Sequence, residues 1–433
     1  MNRLSLLLII TLNFCCSQAV AAQQEIVDEL RTILYVDNDI ETSSCGDYNA
    51  VTRDCENGSF TAYTEISAAA REVEAGITVL IQPGVYSGGI VVTTSGRETA
   101  PIIFQSIDAG VIIEANREGR DAFFINQADY IVIDGLTIQN ANRAALRVSL
   151  SDHVTIRNST FTDNGSWGVF TDFSDYTIVE NCEASGSQRQ HGIYISNSSD
   201  YPVIRGNRIH HNSGAGLHMN GDASMGGDGI VSHGVIENNI FYENGNTGGS
   251  AINMDGVTDS IVRNNLIYDN HASGISLYQI DGASESHNNQ VLNNTIIMAN
   301  NARWALNIQN TQDNKLFNNI VLNNHRTRGS ILVNAPISPG FESDYNLVMD
   351  RFASDGTGDL RLSLSDWQSL GFDANSKIAS PEEIFVNVDA GDFRLKAGSP
   401  AIDAGTPLDL ITSDLDSTLR PSGSAFDIGA YEF

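Results

Sequence analysis

The stretch Gln190–Asp222 reads QHGIYISNSSDYPVIRGNRIHHNSGAGLHMNGD and contains one phrase twice. The extended run His191–Ser196 (HGIYIS) returns after one coil of chain as Ala215–Asn220 (AGLHMN). Both runs alternate apolar and polar residues, which is the period of a half-buried strand. The return predicts a repeat of short strands, and it places the polar residues of the two strands side by side.

Two such phrases recur along the chain. The copies of one phrase follow each other at intervals of roughly 23 to 32 residues where neighbouring coils are compared. A helical solenoid would need apolar residues at a spacing of 3.6, and the abundant Asn and Gly would break its helices. The pattern predicts an all-β chain, a right-handed parallel β-helix with three short strands per turn. This phrase starts at Tyr130, His153, Tyr176, Tyr201, Ser260 and Asn314.

The start of the chain predicts export. Arg3 precedes the apolar run Leu4–Leu12, and small residues follow up to Ala22, so residues 1–22 are predicted to be a signal peptide. We expect a secreted or periplasmic protein. Lipid anchoring at Cys15 is disfavoured because small residues would be expected before that cysteine. No later stretch approaches the ~18 apolar residues of a membrane span.

The rest of the chain divides into three predicted parts. Residues 23–100 form the entry and cap. They include a capping helix over Glu65–Ala75, with Thr64 as its candidate N-cap and Gly76 as its stop. Residues 101–345 form the β-helix coils, and residues 346–433 form the C-terminal coils and cap. Caps are needed because a stack of strands exposes edges and core at both ends.

Three cysteines remain after the predicted cleavage. A disulfide between Cys45 and Cys55 is plausible in an exported loop, which leaves Cys182 as a small buried hydrophobe. The three are too scattered along the chain for a metal site.

The chain is strongly acidic. It has 24 Lys and Arg against 53 Asp and Glu, a formal net charge of -29. Nucleic acid and anionic membranes are therefore poor partners. An anionic polysaccharide is also repelled at long range unless cations or local arginines intervene. We expect a monomer with a polysaccharide partner.

Asparagines recur after the second strand of successive coils. Asn tolerates the left-handed turn conformation, and stacked amides bond to each other along an axis. We predict a structural ladder at Asn158, Asn181, Asn207, Asn239, Asn265, Asn294 and Asn319.

Outward residues of adjacent coils should form columns with a spacing of ~4.8 Å. Two insertions, Asp222–His233 and Asp281–Asn288, leave the same strand of the coil and should border the same face. The first predicted column is Arg147, Phe170, Tyr194, His218, Asn253, Ser276 and Asn307, and the second is Ser149, Asp172, Ser196, Asn220, Asp255, Tyr278 and Gln309.

These columns gather groups suited to acid–base chemistry on one face. His titrates near neutral pH, and Tyr can give or take a proton. We predict catalytic roles for His218, Tyr194, His191 and Arg189. We predict substrate-binding roles for Arg147, Asn220, Asn253, Tyr278 and Trp167. Asp222 and Asp255 are candidate ligands for calcium, the one cofactor expected. Each could instead be a bystander on a solvated face.

The repeats resemble the secreted right-handed parallel β-helix proteins of the pectate-lyase-like superfamily. The residues that carry the resemblance are the coil phrases, the entry Thr78–Tyr86 (TVLIQPGVY) and the closing Asp427–Glu432 (DIGAYE). It covers nearly the whole mature chain. It implies the fold and a carbohydrate-active protein, whereas the reaction stays open because this fold hosts lyases, hydrolases, epimerases and non-enzymes.

The departures from the superfamily narrow the chemistry. Its calcium-dependent lyases use a Lys or Arg base, but Lys occurs here only at positions 315, 377 and 396, outside the central coils. The paired Asp motifs and Arg-Ile-Lys run of polygalacturonase-like hydrolases are missing, as is the Asp-Pro-His motif of the epimerases.

Three functions stay open at this point. The first is a lyase that cleaves an acidic, uronate-containing glycan by β-elimination. The second is a glycoside hydrolase that uses Asp222, Asp228 and Asp255. The third is a non-catalytic surface or adhesion module.

Overall fold

The computed structural model describes residues 32–433 apart from residues 335 and 338, so the predicted signal peptide lies outside the described residues. The described chain winds into a parallel β-helix, in which each coil gives one strand to each of three long sheets. This confirms the all-β solenoid. No helix among the described residues is long and apolar enough to cross a membrane.

The first sheet has 14 strands in the described part of the chain. Thirteen of them run parallel, and the sheet ends in one antiparallel strand of the entry segment, Ser44–Tyr48, which pairs with Phe60–Tyr63. Its strands in chain order are Ile33–Val36, Ser44–Tyr48, Phe60–Tyr63, Thr78–Ile81, Ile102–Ser106, Ile131–Asp134, Thr155–Arg157, Ile178–Glu180, Val203–Arg205, Val235–Glu237, Ile261–Arg263, Gln290–Leu292, Lys315–Phe317 and Glu342–Asp344.

The second sheet has 12 strands between described residues. They are Gly84–Ser87, Val111–Glu114, Thr137–Gln139, Thr160–Thr162, Glu183–Ser185, Arg208–His210, Ile240–Tyr242, Leu266–Tyr268, Thr295–Met298, Ile320–Asn323, Leu347–Val348 and Lys377–Ile378.

The third sheet, here called the site sheet, also has 12 strands in the ranges described. They are Ile90–Val92, Phe123–Asn126, Ala144–Ser149, Trp167–Asp172, Ile193–Ser196, Leu217–Asn220, Ser250–Asp255, Ser273–Tyr278, Leu306–Ile308, Ile331–Val333, Phe352–Ala353 and Arg361–Leu362. Two-stranded pairs add Val231–Ser232 with Val257–Thr258, Ser286–His287 with Thr311–Gln312, and Phe385–Asn387 with Asp392–Leu395.

One apolar core runs along the axis of the coils. Inward residues of consecutive strands stack on each other, as Ile193 does on Leu217. The largest buried cluster extends from Leu34 to Trp367, where Trp367 stacks on Phe352. The sheets therefore extend beyond residues 101–345 on both sides.

The N-terminal capping helix is shorter than the predicted Glu65–Ala75. It spans Ile66–Ala69, and its N-cap is Glu65, which makes no side-chain capping bond. The chain then turns and buries Ala70 and Val73 in the core. Packing against the end of the stack, rather than helix propensity, decides this segment. Within residues 32–433 as described, the other helices are Leu364–Ser369 and Pro381–Ile384, with a 3₁₀ turn at Val388–Ala390.

The Asn ladder is real, but the predicted column mixes two neighbouring positions. One position holds the left-handed conformation, at Asn158 and Asn181 and later at Asn264. The following residue carries the amide ladder, in which each Nδ2 and each backbone N–H donates to the next Oδ1 at 2.8 to 3.1 Å. The ladder is Asn207, Asn239, Asn265, Asn294, Asn319 and Asn346. Asn158 and Asn181 are therefore turn residues and not ladder members.

Two further predictions are confirmed. Cys45 and Cys55 form a disulfide, and Cys182 is free and buried. The two insertions meet beside the site sheet, where Ala223 N–H donates to Asp281 O at 2.9 Å and Ala283 N–H donates to Gly229 O at 3.0 Å. Together the insertions form a wall along one edge of this sheet.

We expect Asn265→Ala to destabilise the protein by about 3 kcal/mol or more, because it leaves buried partners of the amide on both neighbouring coils unpaired. Urea unfolding monitored by circular dichroism measures the shift. The control is Asn246→Ala on the surface, which should change stability by no more than about 0.5 kcal/mol. Equal midpoints for the two variants would show that the ladder contributes nothing specific.

Candidate functional site

The outward surface of the site sheet, here called the site face, is built by strict register between coils. Tyr194 lies between Phe170 and His218, and His218 is followed by Asn253. Two residues further along these two strands, Asn220 pairs with Asp255. The structure thus confirms the predicted neighbours in both columns.

Three of these residues, His191, Tyr194 and His218, form with Asn220 a compact cluster called here the His–Tyr patch. The Tyr194 ring stacks on His218 with centroids 5.1 Å apart, and His191 meets both rings edge-on. His191 Nε2 lies 3.0 Å from His218 Nδ1. The patch brings together three of the four predicted catalytic side chains.

The hydrogen bonds of the patch fix which nitrogen carries each proton. The backbone N–H of Ala215 donates to His191 Nδ1 at 2.9 Å, so that nitrogen must be unprotonated. Neutral His191 therefore carries its proton on Nε2 and donates it to His218 Nδ1. Neutral His218 in turn carries its proton on Nε2, which is buried and lacks a hydrogen-bond partner. The histidine pair therefore has one unpaired donor, His218 Nε2–H. The lone pairs of His191 Nδ1 and His218 Nδ1 both accept hydrogen bonds, so neither nitrogen is free to act as a base.

Burial keeps both histidines neutral. It lowers the pKa of His218 to about 4, against a smaller opposing effect of the neighbouring Asn220 amide. Burial, with the nearby His218, holds the pKa of His191 well below its ordinary value. A histidine base, as predicted for His218 or His191, is therefore disfavoured in this arrangement. A neutral N–H donor at His218 Nε2 is favoured.

Tyr194 is a phenol in the resting protein. Burial raises its pKa to about 12, and the carboxylates of Asp222, Asp281 and Asp255 add to this effect. A hydrogen bond with the Asn220 side chain opposes the rise. The hydroxyl of Tyr194 is thus the one group of the patch that can both give and take a proton.

An aromatic column continues the patch towards the N-terminus. Trp167 stacks on Phe170 at 4.6 Å and on Tyr194 at 5.7 Å. Arg147 lies over Phe170 and is neutralised by two hydrogen bonds to Asp172 of 3.2 and 3.1 Å. Arg147 therefore presents little free charge, while Trp167 offers a ring surface beside the patch.

Arg189, the fourth predicted catalytic residue, holds a turn in the free protein. Its guanidinium donates to the carbonyl of Asn142 at 2.6 Å and to Ser166 Oγ at 3.2 Å. These contacts lie before the strand that carries Tyr194. Arg189 therefore holds the turn at the edge of the site face in place.

A groove of about 530 Å³ opens next to the patch on the C-terminal side. The predicted residues Asn253 and Tyr278 line it and are joined by a hydrogen bond of 2.7 Å from Asn253 Nδ2 to the Tyr278 hydroxyl. Its lining also includes Arg303 and Arg328, which sequence reasoning missed. Both stand outside the repeated strand phrases, so the periodic pattern contains no signal for them.

Comparison with known proteins agrees with this architecture. Residues 88–233 match the family model described as right handed beta helix region. The crystal structure of pectate lyase Pel9A superimposes with a TM-score of 0.61 at 19% identity, covering 92% of this chain and 96% of that chain. The chain has a pectate-lyase-like right-handed β-helix fold.

Other similar proteins carry related names. The alginate lyase from Paenibacillus sp. str. FPU-7 has a TM-score of 0.50 at 20% identity, covering 62% of this chain and 96% of that chain. Over 162 residues the chain is 30% identical to probable pectin lyases A of Aspergillus clavatus and Neosartorya fischeri. That match covers 37% of this chain, and it spans 36% of the length of each curated relative.

The pectate-lyase-like fold raises the question of calcium, for which Asp222 and Asp255 are the predicted ligands. Asp255 accepts backbone N–H bonds from Ile280, Asp281 and Gly282 with its two carboxylate oxygens. Asp222 accepts from the backbone and side chain of Ser224. Among the residues the structure covers, no three His, Cys, Asp or Glu side chains gather as metal ligands. Asp255 therefore anchors an insertion.

We expect His218 to be neutral with its proton on Nε2 at pH 7, because its Nδ1 accepts from His191. Long-range ¹H–¹⁵N correlation spectra of histidine-labelled protein report the tautomer of each ring. His233, which is exposed and stacks on Tyr201, serves as the reference ring outside the patch. A charged His218, or one protonated on Nδ1, would contradict the assigned direction of the hydrogen bonds.

Proposed function

We propose that this protein is a polysaccharide lyase that cleaves an acidic, uronate-containing glycan by β-elimination on the site face. The observation that carries the proposal is the position of the His–Tyr patch, where a phenol and an unpaired N–H donor stand beside a groove lined by two arginines. The names of the pectin lyase relatives support the same class of reaction.

β-Elimination sets three tasks. The enzyme must neutralise the uronate carboxylate so that the adjacent C–H becomes acidic, remove that proton, and protonate the leaving oxygen. His218 Nε2–H contributes to the first task as a neutral hydrogen-bond donor to that carboxylate, because it is buried and has no partner in the free protein. A donor prepositioned in a buried site stabilises developing negative charge without reorganisation.

Tyr194 takes the other two tasks in this proposal. Its phenolate removes the C–H proton while the bond from carbon to the glycosidic oxygen breaks and a C=C bond forms. The same hydroxyl then delivers this proton to the leaving oxygen, which regenerates the phenolate. One group suffices when the proton and the leaving oxygen lie on one face of the sugar. Lys315, by contrast, pairs with Glu342 on the first sheet and is not available as a base here.

The two alternative functions receive less support. A hydrolase would need free carboxylates, whereas the carboxylate oxygens of Asp255 accept hydrogen bonds from three backbone N–H groups. An adhesion module gives no reason for a buried donor and a perturbed phenol in contact. Both alternatives stay distinguishable by the products that the protein releases.

The setting of the reaction is part of the proposal. A disulfide at Cys45–Cys55 is typical of proteins that work outside the reducing cytoplasm, which supports the secreted or periplasmic location. We propose a monomer that acts on a polysaccharide, without nucleic acid as a partner. Calcium has no assigned role in the reaction.

Incubation with polygalacturonate, alginate, hyaluronan and chondroitin should release unsaturated, ultraviolet-absorbing ends from at least one of them. Tyr194→Phe should lower that rate by at least about a hundredfold, because it removes the proton-transfer oxygen and keeps the ring. The control is Tyr201→Phe, whose ring lies between Tyr176 and His233 away from the patch and whose loss of the hydroxyl should leave the rate unchanged.

The same role sets the pH profile. Because the pKa of Tyr194 is raised to about 12, phenolate is scarce at neutral pH and grows as the pH rises. We expect kcat/KM to increase by about tenfold per pH unit over the mildly alkaline range where protein and glycan are stable. A plateau above pH 7 would indicate a histidine base. Reducing ends without unsaturation would indicate a hydrolase.

A further inference from the structure

Five arginines gather at the C-terminal end of the site face, although the chain is strongly acidic. Arg303 and Arg328 line the groove beside Asn253 and Tyr278. Within the described ranges, no Asp or Glu forms an ion pair with any of the five. They are Arg303, Arg326, Arg328, Arg351 and Arg361.

Backbone contacts hold part of this cluster together. The Arg351 guanidinium donates to the carbonyls of His325 and Arg328 at 3.0 and 2.7 Å. Arg328 donates to the carbonyl of Thr357 at 3.2 Å. Burial and the positive charges of Arg328, Arg351, Arg326 and Arg361 lower the pKa of His325, as a ring surrounded by cations requires.

A carboxylate of the adjoining loop does not neutralise the cluster. Asp355 accepts hydrogen bonds from the backbone N–H groups of Gly358, Asp359 and Leu360 and from the Thr357 hydroxyl. This loop also passes close to Arg328. Gly358 has a φ of +79°, and a Cβ there would lie 2.5 Å from Trp304 Nε1 and 2.9 Å from Arg328 Nη1, so the loop needs glycine at this position. The loop is thus shaped around the arginine and leaves its charge unpaired.

The other end of the site face is different. There Arg143 pairs with Asp121 at 2.6 Å, and Arg147 pairs with Asp172 at 3.1 Å. Both guanidinium groups form ion pairs with carboxylates of the protein itself. Arg143 and Arg147 are therefore ion-paired on the N-terminal side of the patch, whereas the five arginines at the C-terminal end have no carboxylate partner among the described residues.

We propose that the groove and its arginines, here called the cationic groove, bind the carboxylates of uronate residues that do not react. Asn307 lies three strand spacings from His218, which is roughly 14 Å. A glycan that is bound at both places must therefore extend over several sugar units on the C-terminal side of the patch. This inference rests on the proposed function and adds to it that the bound units carry free carboxylates.

Free carboxylates and their methyl esters should then bind very differently. A guanidinium forms charge-assisted, often bidentate hydrogen bonds with a carboxylate, and an ester has no charge to offer. The loss of one such contact lowers affinity by roughly tenfold to hundredfold. The cationic groove thus selects an unesterified acidic glycan.

Calorimetric titration of the full chain tests this directly. The probes are long oligogalacturonate and oligomannuronate, each with its methyl-esterified form, on a Tyr194→Phe background that prevents turnover. The acid form of at least one probe should bind at least tenfold more tightly than its ester, with an affinity that falls as salt rises. In Arg303→Gln/Arg328→Gln this preference should fall by at least tenfold, and the salt dependence should flatten.

Arg394→Gln is the matched control, because Arg394 is exposed and pairs with Asp392 in a C-terminal hairpin. It should bind like the parent, and equal thermal unfolding of all variants shows that they are folded. Equal binding of acid and ester, unchanged binding by the double variant, or no binding of either acid probe would overturn the cationic groove. Because binding is read without turnover, a failure to find lyase products would contradict the proposed reaction and leave this result standing.

Discussion

The parallel register between coils is the constraint on which the structure depends. Each strand must pair with its neighbour about 4.8 Å away, so residues of one type fall on top of each other in columns. Inside, Ile193 and Leu217 stack into the core. In the turn, the ladder asparagines satisfy one another's amides and the backbone of the adjacent coil. A slip by one residue would turn every outward side chain inward, so these columns also fix the site.

The same register gives the site its electrostatics. Tyr194 and His218 are in contact because they occupy equal positions on adjacent strands, and each shields the other from water. Burial then raises the pKa of the phenol and lowers that of the imidazole, so both are neutral at pH 7. One backbone amide, the N–H of Ala215, sets the direction of all protons in the histidine pair. A single main-chain donor thus decides that His218 donates.

Periodic features were predictable from the sequence, and features set by direction or by turns were not. The columns through Tyr194 and His218 follow from alternation alone. The asparagines occupy two neighbouring positions, one with a left-handed backbone and one in the ladder. Because Asn occurs at both positions, the residue type alone does not show which is which. The roles of Asp255 and Arg189 depend on partners in loops and turns. Arg303 and Arg328 have no periodic signal, and the direction of the histidine hydrogen bonds is visible only when Ala215 is seen to donate.

We propose that an acidic glycan lies along the site face and is cleaved at Tyr194. The most direct measurement is a crystal structure of Tyr194→Phe with a bound oligouronate. We expect the glycan to cross the coils with a glycosidic oxygen beside the Tyr194 ring position, one carboxylate at His218 Nε2 and further carboxylates at Arg303 and Arg328. A glycan bound on either of the other two sheets, or one that avoids the His–Tyr patch, would contradict it.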